Sequence, residues 1–230
     1  MIAPEPPPWS MLDRLRAHLE LVRAPNLFTA MADVVAGFLF THSTFGAREG
    51  WTVGFLVAAS TSLYAAGVVL NDVYDLEIDR RERPERPLPS GRIAVGTARR
   101  LGWGLLLVGA GLAGGAALAS SAVRPALVGC ALAACIVLYD GYLKHTPVGP
   151  IAMGACRALN VLLGMSAAAT VWHDEHWLIA AALGVYVTGI TLLARGETQG
   201  GRRGPLALAT SIILAGFALL VVLPKMTDEL

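Results

Sequence analysis

Seven stretches of the chain carry almost no charge: 24–47 with one Asp, 50–71, 101–121, 125–139, 145–173 with one Arg, 176–194 and 204–224. A chain in lipid must satisfy its own backbone hydrogen bonds, so apolar stretches of this kind are read as helices, and about 20 residues span the hydrocarbon core. Most of the seven reach that length, and together they use up most of the 230 residues. Charged residues make up 15% of the chain, against roughly 25% in a soluble domain. The expectation is an all-α polytopic transmembrane bundle of about seven spans, one integral membrane domain over residues 1–230, with the lipid bilayer as its first partner.

The net charge of +1 and the absence of a basic stripe interleaved with aromatics argue against a nucleic-acid partner. The distribution of charge says more than its sum. Fourteen of the eighteen Lys and Arg residues lie before the first span, between spans two and three, at Lys144, and at Arg195, Arg202 and Arg203. The positive-inside rule then puts the N-terminus and those loops in the cytosol and Leu230 outside. The ends of spans two, four and six (NDVYDLEID, YDGYLKH and ARGETQGGRR) fall on that same side and would surround one cavity mouth. Upstream, Leu12, Leu15, Leu19 and Val22 form one helical stripe, expected to lie in the membrane interface and feed the first span at Pro25. The Pro-rich start has no apolar run followed by a small-residue cleavage site, so no cleaved signal peptide is expected. Cys130, Cys135 and Cys156 all fall in apolar stretches without metal-site spacing and are read as small packing residues.

Asn71, Asp75 and Asp79 are spaced i, i+4 and i+8, which on a helix places three hard oxygen donors along one face. Mg²⁺ keeps several waters and is held by one or two carboxylates plus substrate phosphates, so the spacing suits a Mg²⁺-diphosphate. A solvated helix end accounts for it as well, because Asp72, Glu77, Arg80, Arg81 and Glu82 are interleaved. Asp33 and Arg157 are the full charges well inside apolar stretches. Each would lie roughly 10 to 15 Å from the cytosolic end of its span at 1.5 Å per residue, so the two could pair, for function or for structure alike. Asn160, one turn after Arg157, shares its face and could bond to it or to a hydroxyl of an aromatic acceptor.

The stretch NDVYDLEIDRRERPERPLPSGRI, residues 71–93, resembles the first aspartate-rich signature of the UbiA superfamily of intramembrane prenyltransferases. There an Asn- and Asp-containing helix end precedes an Arg-Pro-Leu-Pro-Ser-Gly loop. Arg23-Ala24-Pro25-Asn26 is similar to the family's motif before span one, and Tyr139 to Thr146 to its Tyr- and Lys-containing loop after span four. Cys156 to Asn160 and Leu192 to Glu197 look most like the branch encoded in ebo-type bacterial operons. The resemblance implies transfer of an isoprenyl group from an isoprenoid diphosphate to a hydrophobic or aromatic acceptor. It implies Mg²⁺ on Asn71, Asp75 and Asp79 as the catalytic set, with Arg86, Lys144 and Arg195 on the diphosphate. Asn26, Asp33, Tyr139, Arg157 and Asn160 would belong to the substrate pocket. An allylic cation formed there needs a dry, π-rich cavity, for which Tyr74, Tyr139 and Tyr142 are candidates, although interfacial tyrosines also serve as anchors.

The sequence departs from the family in two places. Active members usually carry a second aspartate-rich helix end after span six, and here residues 195–201 hold one acid, Glu197, so the cations Arg195, Arg202, Arg203 and Lys144 are expected to replace a second metal. The family generally has nine spans, and the last two are not expected here. The first departure motivates an alternative, a noncatalytic membrane protein that binds or moves a prenylated or lipid-like metabolite. A CDP-alcohol phosphotransferase is a weaker rival, since Asp140-Gly141 is followed by Tyr-Leu-Lys rather than by that family's motif. Gly109, Gly111 and Gly114 spell GxGxxG without a preceding strand, so a close helix-packing face that includes Gly111 and Gly115 is the better reading. His173 to His176 is metal-capable in composition but reads as a solvated external loop beside Trp172 and Trp177.

Overall fold

The computed structural model describes residues 10–42, 45–168, 173–198 and 203–227. In chain order the described helices are α1 (Met11–Leu21), α2 (Leu27–Thr41), α3 (Ala47–Tyr74), α4 (Leu76–Glu82), α5 (Val95–Ser120), α6 (Arg124–Leu138), α7 (Gly149–Met165), α8 (Asp174–Thr198) and α9 (Arg203–Thr227). A 3-10 turn, Ala24–Asn26, leads into α2, and a π-helical turn, Tyr139–Leu143, extends α6. No strand occurs among the described residues. Each of the seven apolar stretches falls on a helix. Among the described residues five segments are long and apolar enough to cross a membrane, Ala24–Thr41, Ala47–Tyr74, Val95–Ser120, Arg124–Leu143 and Asp174–Gly196, while the apolar helices at Gly149–Met165 and Leu206–Leu219 are shorter. The protein is a multi-pass integral membrane helix bundle.

The helix α1 begins at Ser10, whose hydroxyl accepts from the Asp13 amide at 3.1 Å, while the Asp13 carboxylate accepts from the Ser10 amide at 3.2 Å. The Ser10 hydroxyl also donates to the Asp13 carboxylate at 2.6 Å, and this bond, with that from the Ser10 amide, holds the carboxyl below its usual range. Leu12, Leu15 and Leu19 are exposed, as an interfacial helix requires, while Ala17 and Leu21 are buried. Arg23 then turns the chain sharply, with φ 47° and ψ 54°. A left-handed non-glycine residue costs about 1 to 2 kcal/mol, and here the turn delivers the Arg23 guanidinium to α3.

The loop that follows α4 folds back on the bundle. Leu88 and Ile93 are buried in a cluster with Leu21 of α1, Val69 and Val73 of α3 and Ala98 of α5. Gly91, at φ 74°, makes the turn between them in the left-handed conformation that glycine adopts without penalty. Arg92 fastens the loop to α1 through a two-pronged pair with Glu20 at 2.6 and 2.9 Å.

Without a hydrophobic force between helices in lipid, close packing must come from small residues. At the α2–α7 crossing, a Cβ on Gly37 would lie 2.4 Å from the Val161 carbonyl oxygen, and one on Gly164 would lie 2.1 Å from that of Val34. At the α3–α5 contact, a Cβ on Gly102 would meet Leu70 at 2.8 Å and one on Gly109 would meet Leu63 at 2.6 Å. Gly115 touches Phe55, but a Cβ on Gly111 would have nothing within 4 Å. The tight face of α5 thus carries Gly102 and Gly109, two turns apart, and Gly111 is not on it. Gly164→Val should therefore lower stability by about 1 to 3 kcal/mol, the usual cost of overpacking. Gly111→Ala should be neutral or stabilising. Thermal unfolding in detergent would read both, and equal effects would contradict the assigned faces.

Candidate functional site

Helix α3 presents Ser60, Tyr64, Gly67 and Asn71 at spacings of four, three and four, one helical stripe. That stripe forms one wall of a cavity of about 200 Å³. Leu132, Ile136, Tyr139 and Asp140 line it from α6 and the π turn, and Met153, Cys156, Arg157 and Asn160 from α7. From Ser60 to Asn71 the stripe runs about 16 Å at 1.5 Å per residue. Polar groups stand at its two ends, with an apolar stretch of Leu63, Leu132 and Ile136 among the walls.

At the Asn71 end the acidic residues fall into two sets. The helix α3 ends at Tyr74, Asp75 occupies the junction with φ −88° and ψ 5°, and α4 starts at Leu76. In the first set, the Lys144 ammonium donates to Asn71 Oδ1 at 2.6 Å and contacts Asp75 Oδ2, while the Asn71 amide donates to Asp75 Oδ2 at 3.3 Å. His145 Nε2 lies 3.5 Å from Asp75 Oδ1. In the second set, Arg86 donates to Asp79 Oδ2 at 2.8 Å and lies 3.6 Å from Asp72 Oδ1, which accepts from Arg23 at 2.8 Å. The i, i+4, i+8 spacing presumes one unbroken helix. The break at Asp75 instead joins Asp79 to Asp72, seven residues before it, and both are buried.

Among the expected phosphate-binding cations, Lys144 sits with Asn71 and Asp75, and Arg86 sits with Asp72 and Asp79. Arg195 donates to the Thr146 carbonyl at 2.8 Å and to that of Lys144, so α8 holds the loop that positions the lysine. The side chains of Glu197 and Arg203, and all of Arg202, lie outside the described residues. The Asn71 and Asp75 oxygens already accept one cation in common, and Asp75 Oδ1 has no hydrogen bond. One carboxylate and one amide oxygen are a donor set that suits Mg²⁺ when substrate phosphates and waters complete the shell. No group of three or more His, Cys, Asp or Glu side chains able to hold a metal by themselves occurs among the described residues.

At the far end Arg157 pairs with Asp33 at 2.9 Å, across the close α2–α7 crossing. Asn160 does not bond Arg157. Its amide donates to the Ala30 carbonyl at 3.0 Å and to Asp33 Oδ2 at 3.4 Å, and its oxygen accepts from Ser60 at 2.7 Å. Tyr139 lines the cavity half-buried, whereas Tyr74 and Tyr142 are exposed and Asn26 is exposed at the start of α2. Lining or pairing residues not singled out from the sequence include Tyr64, Gly67, Asp72 and Asp140. The heptad-like stripe on α3 marks the first two. Asp140 continues the Leu132–Ile136 face of α6 at i+4, a carboxylate at the end of an apolar face. His176, read as part of a solvated loop, is buried and stacks edge-on against Phe40, with ring centroids 5.8 Å apart.

Residues 30–226 match the UbiA prenyltransferase family. The chain belongs to that family. Its relatives include digeranylgeranylglyceryl phosphate synthases from Ignicoccus hospitalis, 34% identical over 165 residues, and from Saccharolobus solfataricus, 32% identical over 166 residues. These alignments cover 70% and 72% of this chain but 50% and 55% of the relatives, so the chain spans about half the length of the curated relatives it matches. Among solved structures, a digeranylgeranylglyceryl phosphate synthase shares the fold with a TM-score of 0.72 at 24% identity, over 94% of this chain and 79% of that one. A UbiA homologue from Archaeoglobus fulgidus, solved with DMAPP and Mg²⁺, gives a TM-score of 0.68 at 17% identity, over 90% of this chain and 76% of that one.

The Asp33–Arg157 pair gives a test of what holds the far end. Replacing only one partner leaves a partly buried charge alone, which costs about 3 to 5 kcal/mol. Arg157→Leu should therefore destabilise strongly in a detergent melt, and adding Asp33→Leu should restore most of the loss. A double variant no more stable than the single one would show that the pair does not act as a unit.

Proposed function

We propose that this protein transfers an isoprenyl group from an isoprenoid diphosphate to a hydrophobic acceptor, with Mg²⁺ as cofactor. The observation that carries the reading is the junction of Asn71, Asp75 and Lys144 at the polar end of an otherwise largely apolar cavity, in a chain of this family. Asn71 and Asp75 would hold Mg²⁺, which when bound stabilises negative charge on the departing diphosphate. Lys144 and Arg86 stand at the same end, where charge-assisted hydrogen bonds to phosphate oxygens would add to that stabilisation, and Arg195 holds the Lys144 loop in place. Asp79 acts through Arg86, which it orients together with Asp72. The apolar walls between Leu63 and Leu132 take the tail and keep water from the reacting carbon, with the Tyr139 ring facing the same space.

The relatives' name describes a glyceryl phosphate bearing two geranylgeranyl groups, a product that needs a hydroxyl-bearing lipid as acceptor. We assign the same acceptor class here, in preference to a phenol. The likeness of Cys156–Asn160 and Leu192–Glu197 to the ebo-operon branch leaves room for a differently decorated alcohol at the Arg157 and Asn160 end. The charge bias supports a cytosolic Asn71 end, in keeping with a bacterial inner membrane and a water-soluble leaving diphosphate.

Protein reconstituted in liposomes with Mg²⁺, geranylgeranyl diphosphate and a monohydroxy glyceryl lipid should release diphosphate and form the ether. Asp75→Asn should insert normally and lose Mg²⁺-dependent diphosphate binding. Arg195→Ala should weaken that binding by loosening the Lys144 loop, by less than the roughly 1.5 to 3 kcal/mol of a direct hydrogen bond to a charged group. Binding without any release of diphosphate across a series of chain lengths and acceptors would favour a noncatalytic carrier of prenylated metabolites instead.

A further inference from the structure

The polar groups lining the cavity are mostly tied to the protein. Ser60 and Asn160 bond each other, Arg157 pairs with Asp33, Arg23 with Asp72, and Asn71 with Lys144 and Asp75. Asp140 differs. It is the sole carboxylate among the described lining residues, it is 6% exposed, and its Oδ2 has no hydrogen-bond partner among the described residues. Leaving a buried polar atom without a partner is costly, and a buried charge more so. The partner for this oxygen is therefore expected from whatever enters the cavity.

The surroundings decide what that partner is. Asp140 lies at the π turn Tyr139–Leu143, on the same face as Ile136, and π turns inside helices concentrate at functional sites. In front of Oδ2 is Gly67, where an added Cβ would sit 3.9 Å from this oxygen and 3.1 Å from the Ile136 side chain. Among the described lining residues no second carboxylate stands with it and the Gly67 wall is close, whereas Mg²⁺ demands an octahedral shell of oxygens and the room for it. A single O–H donor needs neither. Lys144 follows four residues later, at the end of the π turn, so Asp140 stands within about one turn of the residue that marks the diphosphate end. The reacting carbon of an isoprenoid diphosphate is bonded directly to the diphosphate, and the nucleophile must meet it there.

We propose that Asp140 is a catalytic residue, the proton acceptor for the hydroxyl of the lipid acceptor, an inference that rests on the transferase reading above. The acceptor oxygen forms a bond to the first carbon of the isoprenyl group as the bond from that carbon to the diphosphate oxygen breaks. The electron pair of the broken bond leaves with the diphosphate, and the hydroxyl proton passes to Asp140 Oδ2. The carboxylic acid so formed returns its proton to water or to the diphosphate when the products leave. Asp140 also orients the hydroxyl, because its free oxygen offers one hydrogen-bond direction in an otherwise apolar wall.

The test uses the full chain in liposomes with Mg²⁺, geranylgeranyl diphosphate and the monohydroxy glyceryl lipid. Asp140→Asn keeps the shape and loses the basic oxygen. It should bind the diphosphate within about threefold of the parent and transfer roughly 10²- to 10⁴-fold more slowly, the usual contribution of a general base. Asp140→Ala should regain part of the lost rate when formate is added, a response that a purely structural residue does not give. An Asn variant that transfers within about threefold of the parent overturns the proposal. So does one whose diphosphate binding falls in step with transfer, which would assign Asp140 to the diphosphate site, or a diphosphate-binding Ala variant that formate leaves unchanged. A parent chain that forms no ether overturns the transferase reading, and this proposal with it.

Discussion

Taking a carboxylate out of water costs several kcal/mol unless a cation meets it, and five aspartates of this chain, Asp33, Asp72, Asp75, Asp79 and Asp140, are drawn into the bundle. Four of them meet a cation from another part of the chain. Arg157 reaches Asp33 from α7, Arg23 reaches Asp72 from the corner before α2, Lys144 reaches Asp75 from the end of α6, and Arg86 reaches Asp79 from the loop after α4. These pairs set the relative positions of α2, α3, α6 and α7 in a setting where apolar surfaces alone, bathed in lipid, discriminate poorly between arrangements. The glycine crossings allow the approach. The charges select which approach is used.

The same pairing prepares the polar end for an anion. In this arrangement Asp72, Asp75 and Asp79 are each met by a cationic side chain, and those side chains are groups that suit a diphosphate. On the proposed reading, a diphosphate with its metal would exchange partners instead of creating charge in the bundle: Lys144 would bond phosphate oxygens, and Asn71 and Asp75 would be the residues to hold Mg²⁺. Such an exchange costs less than bringing a trianionic group to an unprepared apolar site. Arg195 supports it from a distance, through the two carbonyls by which it holds the Lys144 loop.

Much of this was legible in the sequence, for reasons of period and composition. Apolar stretches read as helices because lipid permits little else. The Asp33–Arg157 pair was legible because two full charges at similar depth have few other solutions. The division of the acidic residues was not, since it follows from a helix break at Asp75 that no Gly or Pro announces. Asp72 was hidden among interleaved charges, and only its distance of two turns from Asp79 hints that they share a face. Asp140 escaped because a carboxylate after an apolar stretch looks like an interfacial residue until the π turn and the Gly67 wall are seen. On α5, periodicity offered several glycine faces, and only the positions of Leu63 and Leu70 on α3 distinguish Gly102 and Gly109 from Gly111.

The central claim is that one metal cluster, built on Asn71 and Asp75, binds the diphosphate of an isoprenoid donor. Electron paramagnetic resonance with Mn²⁺ in place of Mg²⁺ tests it most directly, on the full chain in liposomes with geranylgeranyl diphosphate present or absent. The account predicts one tightly held Mn²⁺ per chain that requires the diphosphate, shows hyperfine coupling to phosphorus, and is lost in Asn71→Ala. Mn²⁺ bound at two ions per chain, bound without phosphorus coupling, or retained unchanged in Asn71→Ala would contradict it.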